Sequence, residues 1–272
     1  MSNTLTKEII DSVKEIACHA GDAIMDIYNT NFDVELKNDD SPLTEADRIS
    51  NEIILKSLKK INPQLPILSE ESSDISFKER SGWGTYWLVD PLDGTKEFIK
   101  KNGEFTVNIA LIENNTPTFG VIRVPTLSKT YWGAEKIGSI REIDQGKVEK
   151  IQVSNFNPNN LRVISSRSHK NKVLNSYLKK LGSSKKISIG SSLKFCLLAE
   201  GKADFYPRLG PTSEWDTAAG EAILKFSGGF VLSDKGEEML YNKSESFLNP
   251  YFIASSNEEL IKEFLGHYKK SN

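Results

Sequence analysis

The sequence predicts a mixed α/β protein, α+β in its first half and α/β in its second. Three observations carry this. Apolar residues recur at helical spacing near the N-terminus. Strand-like apolar runs crowd the middle. Short strand and helix patterns then alternate to about residue 232.

Residues 6–28 read as an amphipathic helix, with Ile9, Val13, Ile16, Ala20, Ile24 and Ile27 on one face. A loop at 38–42 precedes a second helix from about Glu45, with Ile49, Ile53 and Leu58 turned inward and Asn62-Pro63 ending it. Residues 66–69 form a short buried strand that ends at Glu70-Glu71, and 72–84 are expected as a mobile polar loop. Residues 86–89 are the next strand, ending in acids, a proline and a Gly-Thr turn. Strands are expected at 105–112, 118–124 and 129–132. The Asn-rich stretch 155–160 marks a boundary, giving an N-terminal α+β domain (1–154) and a C-terminal α/β domain (155–272). Beyond it, strands at 162–165, 186–189, 203–206 and 229–232 alternate with helices at 171–181, 193–200 and 216–226.

At 272 residues the chain can bury a large core, and 38% hydrophobic with 26% charged residues fits a globular protein. The net charge of -2, with no basic patch interleaved with aromatics, argues against nucleic acid and against an anionic membrane as partner. Cys18 and Cys196 each sit in an apolar helical pattern, so buried free thiols in a reducing compartment are expected. No secretory pattern opens the chain and no apolar run spans a bilayer. The expected location is the cytoplasm, with peripheral attachment to the inner membrane left open; oligomeric state is not legible.

Three segments place acids at the ends of apolar elements: Glu70-Glu71, Asp90 with Asp93, and Asp216. Each alone has an ordinary explanation, as a solvated strand end, a turn, or a helix cap. Asp47, three residues after Thr44, reads alone as part of a capping box. Brought together, the three acidic segments would repel one another unless cations neutralised them, which points to divalent metal. The Gly94-Thr95 helix start beside them offers N–H groups to a phosphate.

The ordered set Leu68-Ser69-Glu70-Glu71, residues 87–95 and residues 215–220 resembles the inositol monophosphatase superfamily over essentially the whole chain. Asp93-Gly94-Thr95-Lys96-Glu97-Phe98, residues 102–112, Gly190-Ser191-Ser192-Leu193-Lys194-Phe195-Cys196 and Tyr206-Pro207-Arg208 resemble its 3′(2′),5′-bisphosphate nucleotidase branch. The resemblance implies a layered α-β-α-β-α sandwich and a site holding two or three Mg²⁺ ions, sensitive to lithium. It implies Glu70, Asp90, Asp93, Asp216 and the carbonyl of Leu92 as metal ligands, with Glu71 outside them. Asp47 and Thr95 would position the attacking water, and Glu70 would also serve as base through a water. Substrate contacts are implied at Glu70, Leu92, Asp93, Gly94, Thr95, Ser191, Lys194, Arg208 and Asp216; Arg167, His169 and Lys170 are further candidates for a second phosphate. The implied reaction is hydrolysis of the 3′-phosphate of 3′-phosphoadenosine 5′-phosphate, and of 3′-phosphoadenylyl sulfate, without a covalent intermediate, in sulfur assimilation or adenylate recycling. An inositol or sugar-phosphate phosphatase, and a non-catalytic nucleotide-binding sensor, stand as alternatives. His19 and His267 have no role in this scheme.

Overall fold

A computed structural model describes residues 5–36, 42–143, 146–164, 172–181 and 184–271. The elements in chain order are α1 (Lys7–Tyr28), β1 (Val34–Leu36), β2 (Pro42–Thr44), α2 (Glu45–Ile61), β3 (Ile67–Ser69), α3 (Phe77–Arg80), β4 (Thr85–Asp93), α4 (Thr95–Ile99), β5 (Thr106–Glu113), β6 (Thr116–Val124), β7 (Lys129–Ala134), β8 (Gly138–Ile143) and β9 (Val148–Ile151). After them come β10 (Leu161–Ile164), α5 (Lys172–Leu181), β11 (Ser184–Ile187), α6 (Leu193–Ala199), β12 (Phe205–Arg208), α7 (Glu214–Phe226), β13 (Phe230–Ser233), β14 (Phe252–Ser255) and α8 (Glu258–Ser271).

The larger sheet runs β3-β4-β5-β6-β7-β8-β9, antiparallel except for the parallel β3–β4 pair. The smaller runs β11-β10-β12-β14-β13, with parallel pairing on both sides of β10 and antiparallel pairing around β14. Alternate side chains on each strand feed different cores, as strand geometry requires. Trp87, Val89, Ile109 and Val121 pack under α1 and α2, whereas Leu88, Ala110 and Ile122 pack on α6 and α7. Tyr206 and Phe252 close that second core from the smaller sheet, and Phe205 and Ile253 face a third core against α5 and α8. The layers are therefore α-β-α-β-α. Trp87 is 1% exposed; truncating such a side chain to alanine costs about 3–5 kcal/mol.

The central helix α7 lies almost directly on the larger sheet. At Gly120 in β6 a Cβ would come within 2.4 Å of the Ala219 carbonyl, so only glycine admits the helix at this height. That close seat fixes the N-terminal end of α7, and Asp216 with it.

Several details differ from the sequence reading. Helix α2 buries Ala46, Asp47, Ser50, Ile54 and Leu58, while Ile49 and Ile53 are only half-buried. The stripe is rotated because Asp47 and Ser50 have polar partners inside: the Ser50 hydroxyl donates to the Pro91 carbonyl at 2.7 Å. Residues 72–84 are not a featureless loop. A 3-10 turn over Glu70–Ser72 leads into it, the short helix α3 lies within it, and Arg80 is buried. Strands β8, β9 and β14 and helix α8 add to the expected elements. Cys18 and Cys196 are both free thiols; Cys196 is buried and Cys18 half-buried. The 38–41 part of the expected loop lies outside the described residues.

Candidate active site

The acids converge at the edge of β4, where the chain departs from regular strand geometry. In an unbroken strand, residues three apart face opposite sides. Here Asp90 pairs with Asn108 but Asp93 pairs with Thr106, so β4 carries one extra residue. This bulge reverses the parity and turns both carboxylates toward the side occupied by α6 and α7. Pro91, which could not donate a ladder hydrogen bond, sits inside the bulge. The expected strand end at residue 89 is thus a bulge, and pairing continues to Asp93.

Each acid is held by its own local device. Glu70 opens the 3-10 turn that follows β3. Asp90 is 1% exposed; one of its oxygens accepts from the Leu92 N–H at 3.1 Å, while Oδ2 has no hydrogen-bond partner among the described residues. Asp93 Oδ2 lies 2.6 Å from both the backbone N–H and the hydroxyl of Ser192. Asp216 stands at the third position of α7 and accepts the Ser213 N–H at 3.0 Å, so Ser213, not Asp216, caps the helix. Carboxylate oxygens of Glu70, Asp90 and Asp216 lie within 4.8 Å of one another.

That crowding shows in their protonation. Burial, then the charges of Glu70 and Asp93, push the Asp90 carboxyl well above the usual range. Asp216 is pushed up to about 8, first by burial and then by Asp93 and Glu70. A buried carboxylate oxygen without a donor and neighbours that resist ionisation form a donor set that a hard divalent cation fits.

Asp47 caps α2 and also reaches Thr95. Its Oδ2 accepts the Thr44 N–H at 2.7 Å and the Thr44 hydroxyl at 2.6 Å, capping α2, while Oδ1 accepts the Thr95 hydroxyl at 3.2 Å. Gly94 takes φ +96, and a Cβ there would come within 2.9 Å of the Glu104 carbonyl. Glycine is therefore needed for the chain to turn into α4. The Leu92 side chain is in the core, so its backbone is what lines the cavity, and its carbonyl lies 3.4 Å from the Thr95 hydroxyl.

Two recesses meet here. One of about 200 Å³ is walled by Glu70, Asp90, Asp93, Thr95, Glu97 and Asp216, among others. A smaller one of about 90 Å³ is walled by Ser191, Lys194, Tyr206, Arg208 and Thr212, and it shares Asp93 and Asp216 with the first. Lys194 Nζ donates to the Ser191 carbonyl at 2.9 Å. Burial lowers its pKa, nearby Arg208 adds to this, and Asp93, Glu97 and Asp216 oppose it. Arg208 is braced by Thr212 Oγ1 and the Pro211 carbonyl, both at 2.5 Å. Ser191 adopts φ +51, an uncommon left-handed conformation for a residue with a side chain.

Of the described residues expected in the site, all but Asp47 and Glu71 line one or both recesses, and Asp47 reaches them through Thr95. Glu71 instead lines a separate groove with Arg48 and Asn51. Arg167, His169 and Lys170 lie outside the described residues. Ser192 and Tyr206 enter the sequence reading only within matched motifs and Thr212 not at all; the bond from Ser192 to Asp93 spans 99 positions, and no local pattern signals it. His19 is exposed, and His267 packs against Tyr177 away from the acids.

Comparison with known proteins finds relatives over nearly the whole chain. A model of the inositol monophosphatase family matches residues 6–269. A Salmonella typhimurium protein named 3′(2′),5′-bisphosphate nucleotidase CysQ is 49% identical over 90% of this chain and 98% of its own. Its Escherichia coli K12 namesake is 47% identical over 91% and 99%. The crystal structure of CysQ from Bacteroides thetaiotaomicron, described as a bacterial member of the inositol monophosphatase family, superposes with a TM-score of 0.81 at 40% identity, covering 94% of this chain and all of that one. With its acids gathered around a bulged strand in this layered sandwich, the chain belongs to the inositol monophosphatase family.

Proposed function

We propose that this protein is a Mg²⁺-dependent 3′(2′),5′-bisphosphate nucleotidase that hydrolyses the 3′-phosphate of 3′-phosphoadenosine 5′-phosphate, and of 3′-phosphoadenylyl sulfate, in the cytoplasm. The observation that carries the reading is the pair of joined recesses. The first has acids for metal and a helix start for a phosphate; the second has two cations, Lys194 and Arg208, for another anion. A monophosphate would leave the second recess without a counter-charge. The names of the CysQ relatives support the same reading. We keep the division near residue 154, with Glu70, Asp90 and Asp93 in one domain and Asp216, Lys194 and Arg208 in the other.

Glu70, Asp90, Asp93, Asp216 and the Leu92 carbonyl would hold the metal ions. Bound there, divalent cations neutralise the carboxylates and act as Lewis acids toward phosphoryl oxygens. The chain's own residues do the rest. The Thr95 hydroxyl donates to Asp47 Oδ1, so its oxygen presents lone pairs to an attacking water. As the water loses a proton to Thr95 Oγ1, Thr95 passes its own to Asp47. Gly94 and Thr95 offer the N–H groups of the α4 start to the phosphate. Lys194 and Arg208 hold the 5′ anion, and Ser191 lies beside them.

The test is phosphate release from 3′-phosphoadenosine 5′-phosphate and inositol 1-phosphate, each with Mg²⁺, with chelator and with lithium. Preference for the bisphosphate, abolished by chelator and reduced by lithium, is expected. Preference for inositol phosphate would overturn the assignment of the second recess. Nucleotide binding without hydrolysis of either compound would favour a sensor.

A further inference from the structure

Glu97 is an acid on the metal-side recess, within electrostatic reach of the second. It lines the metal-side recess next to Thr95, and its charge acts on Lys194 in the other. It packs against the turn that leads into Ser191: a Cβ at Gly190 would lie 2.7 Å from Glu97 Cγ. The Gly190 N–H is taken by Glu104 Oε2 at 2.7 Å, so the turn is held without help from the Glu97 carboxylate. Among the described residues, that carboxylate enters no hydrogen bond and no ion pair. Glu97 is half-buried.

A carboxylate facing a phosphate-binding cavity repels the ligand's phosphates. It attracts a group that donates a hydrogen bond. Glu97 lines the recess of the phosphate that is cleaved, and the free sugar hydroxyl vicinal to that phosphate in a nucleoside 3′,5′-bisphosphate is the ribose 2′-hydroxyl. We propose that Glu97 is a specificity-determining residue that accepts a hydrogen bond from this hydroxyl and so selects ribonucleotides over 2′-deoxyribonucleotides. The assignment rests on the nucleotidase reading above.

The test compares kcat/KM for 3′-phosphoadenosine 5′-phosphate and its 2′-deoxy analogue in the wild type, Glu97→Ala and Glu97→Gln, all with saturating Mg²⁺. A hydrogen bond to a charged group predicts a wild-type preference for the ribonucleotide of about tenfold or more. Glu97→Ala should bring the ratio close to one, and Glu97→Gln, which keeps an acceptor oxygen, should retain part of it. The ratio is the readout, so a general loss of activity does not imitate the result. An unchanged ratio in Glu97→Ala, or no preference in the wild type, would overturn the assignment. Failure of the wild type to hydrolyse either bisphosphate while it hydrolyses inositol 1-phosphate would overturn the nucleotidase reading, and this assignment with it.

Discussion

Arg80 and Asn242 grip each other in both directions. The Arg80 guanidinium donates to Asn242 Oδ1 at 2.5 Å, and Asn242 Nδ2 donates back to the Arg80 carbonyl at 2.6 Å. Two further bonds run from Arg80 to the carbonyls of Ser244 and Glu245, and the guanidinium stacks 4.2 Å from the Phe247 ring. The Asn242 N–H in turn donates to Glu214 at 2.8 Å, in the first turn of α7, and the Glu214 N–H donates to the Phe247 carbonyl. The segment that leaves Glu70 is thereby strapped to the helix end that carries Asp216.

Arg80→Ala should loosen both halves of the acid cluster. Removing a buried, multiply bonded guanidinium costs about 3–5 kcal/mol. The expected result is a fall in melting temperature and weaker Mg²⁺ binding, read by thermal unfolding and by calorimetric titration. Arg80→Lys keeps the charge but not the fork of donors, and should fall between. Unchanged Mg²⁺ affinity in a destabilised Arg80→Ala would show that the strap serves the fold alone.

Thr95 and Asp47 are expected to act as one unit. Thr95→Val removes the hydroxyl and should lower kcat by about 10²–10⁴-fold, while Thr95→Ser should keep most of it. Asp47→Asn should lower kcat comparably, and the double variant should be little worse than either single one. Asp47→Asn also weakens the cap of α2, at about 1 kcal/mol, so a small drop in melting temperature should accompany it and not Thr95→Ser. Additive losses in steady-state kinetics would show that the two residues act independently.

Much of this site was legible because it is local. The acids at 90 and 93 and the Gly-Thr turn after them fall in one run of sequence, and helical spacing foretold α1 and α7. What escaped depends on distance or parity. The bulge that turns Asp90 and Asp93 to one side arises from pairing with β5, which no local pattern encodes. Ser192 reaches Asp93 across 99 positions, and Arg80 reaches Asn242 across 162. Arg80 was not singled out within the expected polar loop at 72–84, because a charged residue in a polar stretch is usually solvated. The α2 face was misplaced by the rule that apolar residues point inward, whereas Asp47 and Ser50 are buried for their hydrogen bonds.

Metal binding should release protons. Asp216 titrates at about 8 against an ordinary 3.8, and Asp90 is also raised, so the metal-free cluster retains protons at neutral pH. Mg²⁺ requires the ionised forms and must displace them. Apparent affinity should therefore rise from pH 6 to about pH 8 and flatten above it. Calorimetry in buffers of different ionisation enthalpy should show proton release at pH 7 that shrinks by pH 9. Affinity independent of pH across this range would mean that the acids are already ionised before metal arrives.

Stability should fall as pH rises, through a second pair of acids behind the site. Burial pushes Glu221 up to about 8, opposed by the Tyr241 hydroxyl that donates to it at 2.6 Å. Burial pushes Glu214 up to about 7, opposed by the Asn242 N–H and then by Arg80. Both values exceed the ordinary 4.5, so the folded protein holds protons that the unfolded chain has given up. Their contribution is complete below about pH 4.5 and is lost as pH climbs through 7 and then 8. Each such group lowers stability by at most about 1.4 kcal/mol per pH unit within its window. Melting temperature measured with saturating Mg²⁺, which clamps the metal-site acids, should decline from pH 6 to 9. Glu221→Gln keeps an acceptor for Tyr241 and removes the titration, so its decline should be shallower and its gain over the wild type largest at pH 9. Parallel curves for the two proteins would show that Glu221 does not titrate in this window.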